Sequence, residues 1–147
     1  MSKLNSIATK ILESNIYLTL ATCLDNKPWA SPLFYCKDDK NNFYFISQPN
    51  SRHIRYTEKN PVVSFAIFDS RQQEGTGNGV QGSGIVQEIK EDSLDEALKW
   101  YKTSFIELTK ENLTGNAPYR LYKLIPSEFY VLDPDADTDE RVKVELL

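Results

Sequence analysis

The chain has 147 residues, 17 Lys and Arg against 21 Asp and Glu for a formal net charge of −4, and 40% hydrophobic content. That length and apolar content fit one domain, residues 1–147, burying about 68–70% of its unfolded surface. The acidic balance argues against nucleic acid as partner, no apolar run nears the ~20 residues of a membrane span, and Met1–Ser6 lacks a signal-peptide pattern.

Leu4, Ile7, Ala8, Ile11 and Leu12 recur at helical spacing and predict an amphipathic helix ending near Asn15. Ile16–Leu24 alternates as a strand, and Asp25-Asn26-Lys27-Pro28 turns the chain back. Trp29–Lys37 is the returning strand. Pro32 inside it cannot donate to a ladder, which calls for an open edge or a bulge near Ser31-Pro32. An open backbone edge beside Leu33 and Phe34 is a place for a flat ring to lie and hydrogen-bond; a plain edge strand protected by its proline accounts for the same residues. This hairpin sets Cys23 opposite about residue 30, leaving Cys36 ~20 Å further along at ~3.4 Å per residue. The two cysteines therefore read as unpaired small hydrophobes, in keeping with a reducing cytoplasm.

Asn42–Asn60 is the central stretch. Phe43, Tyr44, Phe45 and Ile46 are strand formers after the turn-rich Asp38–Asn42. Gln48-Pro49-Asn50 breaks the strand, Ser51 is positioned to cap a short helix, and Asn60-Pro61 closes it. With Arg52 and His53 in its first turn, that helix start is an anion seat: free N–H groups and the positive helix end point the same way. Ser51–Lys59 carries Arg52, Arg55 and Lys59 against Glu58 alone, a basic spot on an acidic chain that suits a small anion. An ordinary solvated helix face explains the same three cations.

Pro61–Asp69 is a strand with Val63, Phe65 and Ile67 on one face, and Ser70–Asn78 is a polar hairpin loop. Gly79–Lys90 is a further strand whose Gly82 and Gly84 allow close backbone approach or, preferably, curvature. Ser93-Leu94-Asp95-Glu96 is a capping box predicting a helix to about Leu108, with Leu94, Ala97, Leu98, Tyr101, Phe105 and Leu108 as its buried stripe. Tyr119–Ile125 and Phe129–Leu132 are the next strands, broken by Pro126. A five-acid turn, Asp133–Glu140, precedes a short Val142–Leu146 strand. The pattern is mainly β and mostly antiparallel, a small closed or partly closed barrel with helices at its ends. Seventeen aromatics (2 Trp, 8 Tyr, 7 Phe) are more than one small barrel needs and point to a surface shared with a second copy.

His53 is the only histidine, which excludes the usual zinc spacings. No triad motif or Walker-type loop appears, so any redox or transfer chemistry belongs to a bound cofactor.

The runs Trp29-Ala30-Ser31-Pro32-Leu33-Phe34-Tyr35, Phe43–Ser47 leading to Ser51-Arg52-His53, and Glu58-Lys59-Asn60-Pro61-Val62-Val63-Ser64 resemble the pyridoxamine 5′-phosphate oxidase-like split barrels. The resemblance implies a six-stranded antiparallel split barrel of Greek-key type. It also implies a homodimer with flavin mononucleotide (FMN) at the subunit interface. By position, Ser51, Arg52 and His53 match the family's Ser-Arg-Lys phosphate grip, and Ser47 a phosphate-binding hydroxyl. Ser31, Pro32, Leu33 and Phe34 match the strand along the isoalloxazine ring. His53 replaces a lysine, and the oxidase's Arg-x-His substrate tail has no counterpart in Asp133–Leu147, so vitamin B6 oxidation is not assigned. The implied activity passes electrons between a reduced nicotinamide and a small acceptor. A non-catalytic flavin- or haem-binding module, or a dimeric scaffold that has lost its ligand, are the alternatives.

Overall fold

In the computed structural model, which describes residues 1–147, α1 (Lys3–Ser14) starts where Ser2 accepts a hydrogen bond from the Asn5 N–H. Ala8, Ile11 and Leu12 form its buried stripe, as the periodicity predicts. β1 (Tyr17–Leu24) and β2 (Lys27–Phe34) follow as a hairpin. Its turn is only Asp25-Asn26, with φ of 51° and 62°. Positive φ at both central residues is the type I′ geometry that matches strand twist. The turn is thus tighter than Asp25–Pro28, and Cys23 faces Pro28 rather than residue 30. Both cysteines are free and half-buried.

β3 (Cys36–Lys37), β4 (Phe43–Ser47), α2 (Arg52–Lys59), β5 (Val62–Phe68) and β6 (Gly79–Glu88) come next. The chain ends with α3 (Leu94–Ala97), β7 (Arg120–Leu132) and β8 (Arg141–Val144). The antiparallel order is β2-β1-β5-β6-β7-β4-β3, with β8 on β7. β5, β6 and β7 are sequential neighbours and β4 returns beside β7, a Greek-key arrangement. β2 and β3 are opposite ends of this order, yet only Tyr35 separates them along the chain. The sheet must therefore curl until its ends meet, while those ends share no ladder: a split barrel. Eight strands form rather than six, because the two-residue β3 and the four-residue β8 add to the frame.

The barrel interior is aromatic. Phe43 meets Phe65 at 5.2 Å between centroids and Phe65 meets Phe129 at 5.8 Å, both edge-to-face.

Pro126 does not break the last strand. Residues 120–132 are one strand in which Ser83 faces Glu128 and Gly84 faces Pro126, leaving Ser127 as the extra residue of a bulge. A bulge is where a strand tolerates a residue without an N–H. At Gly84 a Cβ would overlap the Ile125 carbonyl, and at Gly82 the Phe65 ring. Close approach sits at the glycines, and the adjoining bulge bends the strand.

The helix expected to reach Leu108 stops at Ala97. Ser93 makes no side-chain cap bond. Further on, Thr103 Oγ1 accepts from the N–H groups of Phe105 and Ile106 at 3.1 and 3.4 Å, competing with helical bonding. Leu94, Ala97 and Tyr101 still bury themselves, in a second cluster with Tyr44, Leu113 and Leu121. Phe105, assigned to the buried stripe, is 93% exposed. No helix is long and apolar enough to cross a membrane.

Candidate functional site

Alternation along β4 sends Phe43 and Phe45 into the core and leaves Ser47 at the strand's end, buried and opposite Arg120. Gln48-Pro49-Asn50 then turns the chain, closed by the Ser51 N–H donating to the Gln48 carbonyl at 3.0 Å. Ser51 occupies the cap position, but its hydroxyl donates to the same Gln48 carbonyl at 2.8 Å and takes no N–H from α2. The first N–H groups of α2 therefore keep their donors directed outward.

His53 folds back over this turn. Its Nε2 lies 2.7 Å from Ser47 Oγ and 3.5 Å from Ser51 Oγ, and its ring tilts against Phe45 at 6.5 Å. Burial pushes the imidazole pKa below its ordinary value, so the ring is neutral at pH 7. Ser47, Ser51 and His53, separated by up to six positions, thus converge within one hydrogen-bonding radius.

Arg52 takes a different path. Its guanidinium lies 4.1 Å from the Trp29 ring centroid, and both Nε and Nη2 donate to the Tyr56 hydroxyl at 3.2 Å. Trp29 and Tyr56 are site neighbours that the sequence reading did not single out. The available signal was the i, i+4 spacing of Arg52 and Tyr56 on one helix face.

β2 is the sheet's edge strand, paired to β1 in an unbroken register, so Pro32 marks an open edge without a bulge. The Tyr35 N–H bonds to the Ile16 carbonyl at 3.0 Å. Counting back by alternation, Pro28, Ala30, Pro32 and Phe34 turn their backbone groups to the free edge. Two of these are prolines, so Ala30 and Phe34 supply the edge's N–H donors. Leu33 and Ser31 face inward and are buried, which corrects the expectation that Leu33 and Phe34 share one ring-sheltering face. Phe34 is held edge-on between Tyr17 and Tyr101, at 6.1 and 6.0 Å.

A cavity of about 570 Å³ is lined by the 95–108 segment itself, with Leu98, Tyr101 and Phe105 among its walls. It includes none of the predicted site residues and meets them only where Tyr101 touches Phe34. No cluster of three His, Cys, Asp or Glu side chains forms a metal site.

The donor set fits a phosphate ester. Two hydroxyls and an imidazole converge at the free N–H groups of the helix start, with the Arg52 guanidinium alongside on Trp29 and Tyr56 and no carboxylate anywhere from Ser47 to Thr57. An exposed strand edge adjoins them through the Trp29–Arg52 contact.

Comparison with known proteins agrees with this frame. The family model described as pyridoxamine 5′-phosphate oxidase matches residues 7–133. UPF0306 protein PM1958 of Pasteurella multocida is 26% identical over 104 residues, 70% of each chain. The haem-binding protein of Mycobacterium smegmatis superposes with a TM-score of 0.77 at 17% identity, covering 99% of this chain and 59% of that one. A FAD-binding protein of Mesorhizobium loti superposes with a TM-score of 0.57 at 22% identity, covering 88% and 92%. With its curled antiparallel sheet and a family match spanning most of its length, this chain belongs to the pyridoxamine 5′-phosphate oxidase family.

Proposed function

We propose that the start of α2 holds the phosphate of FMN, that β2 lies along the flavin ring, and that two copies of the chain pair around two such sites. The observation carrying this is the convergence of Ser47, Ser51 and His53 at a helix N-terminus beside an open strand edge. Arg52 supplies planar, charge-assisted donors once it turns from Tyr56. The N–H groups of Ala30 and Phe34 orient the ring, with Pro32 and Phe34 excluding water from it. The flavin, when bound, supplies electron transfer between a reduced nicotinamide and a small acceptor, and this chain's part is binding, orientation and electrostatics.

Pairing is supported by the barrel's outer face. Tyr17, Val62, Phe68 and Ile85 are exposed there at 57%, 61%, 50% and 41%, across strands β1, β5 and β6. The register brings Val62 opposite Ile85, and Ala21 opposite both Ala30 and Ser64, without a charged side chain among them. An uncharged, small-residue sheet face of this kind is suited to burial against its own copy.

Freshly purified protein should show flavin absorbance, and Arg52→Ala should weaken FMN binding at least tenfold while leaving riboflavin affinity unchanged, the scale of a charge-assisted hydrogen bond of about 1.5–3 kcal/mol. Unchanged FMN affinity in that variant would remove the phosphate assignment. Ser64→Glu, at the centre of the outer face, should convert dimer to monomer by light scattering. Reduced nicotinamide consumed with an added acceptor would mark an enzyme; a coloured but inert protein would mark a sensor or store. The likeness to a haem-binding fold favours haem as the second ligand to test, read as a Soret band.

A further inference from the structure

We propose that His53 couples this seat to protons: a phosphomonoester dianion entering it draws one proton from solvent onto the imidazole. The inference rests on the phosphate reading above and concerns the residue in which this chain departs from a lysine-bearing grip.

Among the seat's side chains, Ser47 and Ser51 are neutral donors and Arg52 is permanently charged, so His53 alone titrates near neutral pH. Its geometry favours the neutral ring when no anion is present. It is half-buried, Phe45 lies on one side, and its side-chain hydrogen-bond partners are the Ser47 and Ser51 hydroxyls, with no carboxylate paired to it. The three ion pairs of the chain, Lys3–Asp135, Lys90–Glu88 and Lys99–Glu96, all lie elsewhere.

The charged and titratable groups on the elements around the ring are mostly cationic. On α2 they are Arg52, Arg55, Tyr56, Lys59 and the single acid Glu58; on β7 they are Arg120, Tyr122, Lys123, Glu128 and Tyr130. The other strands around α2 add Tyr17 and Cys23 on β1, Lys27 on β2, Tyr44 on β4 and the acid Glu88 on β6. Arg52 is turned to Trp29 and Tyr56, and Arg120 donates to the carbonyls of Gly115, Ala117 and Tyr119. Tyr122 stacks on Phe45, and burial holds its phenol protonated. Nothing here stabilises an imidazolium. A dianion within reach of Nε2 reverses that, because opposite charge in a half-buried site favours the charged form.

Ser47 makes the exchange smooth. Ser47 Oγ and His53 Nε2 lie 2.7 Å apart: in the tautomer with the proton on Nδ1 the hydroxyl donates to Nε2, and once Nε2 is protonated the same oxygen accepts, freeing its own proton to turn to the phosphate. No bond is made or broken beyond the proton taken up.

Occupied, the imidazole pKa lies above its empty value. Between the two values affinity falls about tenfold per pH unit as pH rises, and one proton accompanies each ligand. Below the empty value no further gain follows, and near pH ~6 the phosphate itself begins to protonate.

The chain's single histidine makes the test direct, since every imidazole NMR signal belongs to His53. Titration of the protein alone and with saturating FMN should show the His53 pKa raised by at least one unit when FMN is bound. Calorimetry in two buffers of different ionisation enthalpy should show uptake of about half a proton or more per FMN near pH 7. FMN affinity should fall about tenfold from pH 6.5 to 8.5, with riboflavin affinity flat throughout. His53→Lys should bind FMN with no pH dependence over that range, and His53→Gln should bind weakly with none. Tight FMN binding with the same affinity at both pH values would overturn the proton coupling and leave the phosphate seat standing. Absence of saturable FMN binding at every pH, in the parent chain and in His53→Lys, would overturn both.

Discussion

The Arg52 guanidinium lies 4.1 Å from the centroid of the Trp29 ring, tying the first residue of α2 to the start of the barrel's edge strand. A cation stacked on an exposed aromatic face contributes about 0.5–1 kcal/mol. Trp29→Ala should therefore weaken FMN binding about two- to fivefold by leaving Arg52 less ordered, with little change in riboflavin binding. Fluorescence titration of flavin into the two proteins measures both numbers.

Gly84 sits at the bulge between β6 and β7, where a Cβ would overlap the Ile125 backbone. Backbone does not yield as a side-chain tip does. Gly84→Ala should cost about 1–3 kcal/mol, the range for overpacking. Urea unfolding would show this as a lower midpoint at unchanged slope.

Asn26 holds φ of 62° in a two-residue turn. Valine there should cost about 1–2 kcal/mol, the penalty of left-handed backbone. Glycine should be neutral or mildly stabilising. Thermal unfolding of the two variants would separate a backbone effect from loss of the Asn side chain.

Asp38 is a buried carboxylate at the β3–β4 turn. Burial by itself would raise its pKa, but the amide and N–H of Asn42, the Lys40 N–H and the Tyr44 hydroxyl together lower it below the ordinary value. A folded-state pKa below the unfolded one contributes stability above the unfolded value and loses it as pH falls through the folded one. Asp38→Asn should thus be less stable than the parent at pH 7. The gap should close below pH ~4, the ordinary carboxylate range. Parallel urea curves at pH 7 and pH 3 test this; an equal gap at both would sink it.

Much of the proposed anion seat's frame was legible in the sequence because its signals are local. Ser51 before a short apolar-and-basic run, and Asn60-Pro61 after it, mark the bounds of α2 through backbone preferences that a few residues decide. The identities of Ser47, Ser51 and His53 follow from the strand, turn and helix in succession. Their mutual contact does not: the Ser51 hydroxyl turns to Gln48, and His53 reaches Ser47 only because the turn folds back over the end of β4.

Where neighbours come from distant chain, the local signals went astray. Pro126 looks like a strand breaker until Gly84, 42 positions earlier, offers a bulge to seat it. Ser93–Glu96 looks like the start of a long helix, but the helix ends at Ala97 and the Lys102 N–H goes instead to Cys36 Sγ on β3 at 3.4 Å. By itself the sequence determined the period of each element and the dihedral preferences at its ends, since these depend on neighbours a few residues apart. The tertiary structure alone decided which strands pair, which face of β2 meets solvent, and that Arg52 rests on Trp29, because hydrogen-bond registry and side-chain stacking are settled between segments that only the closed barrel brings together.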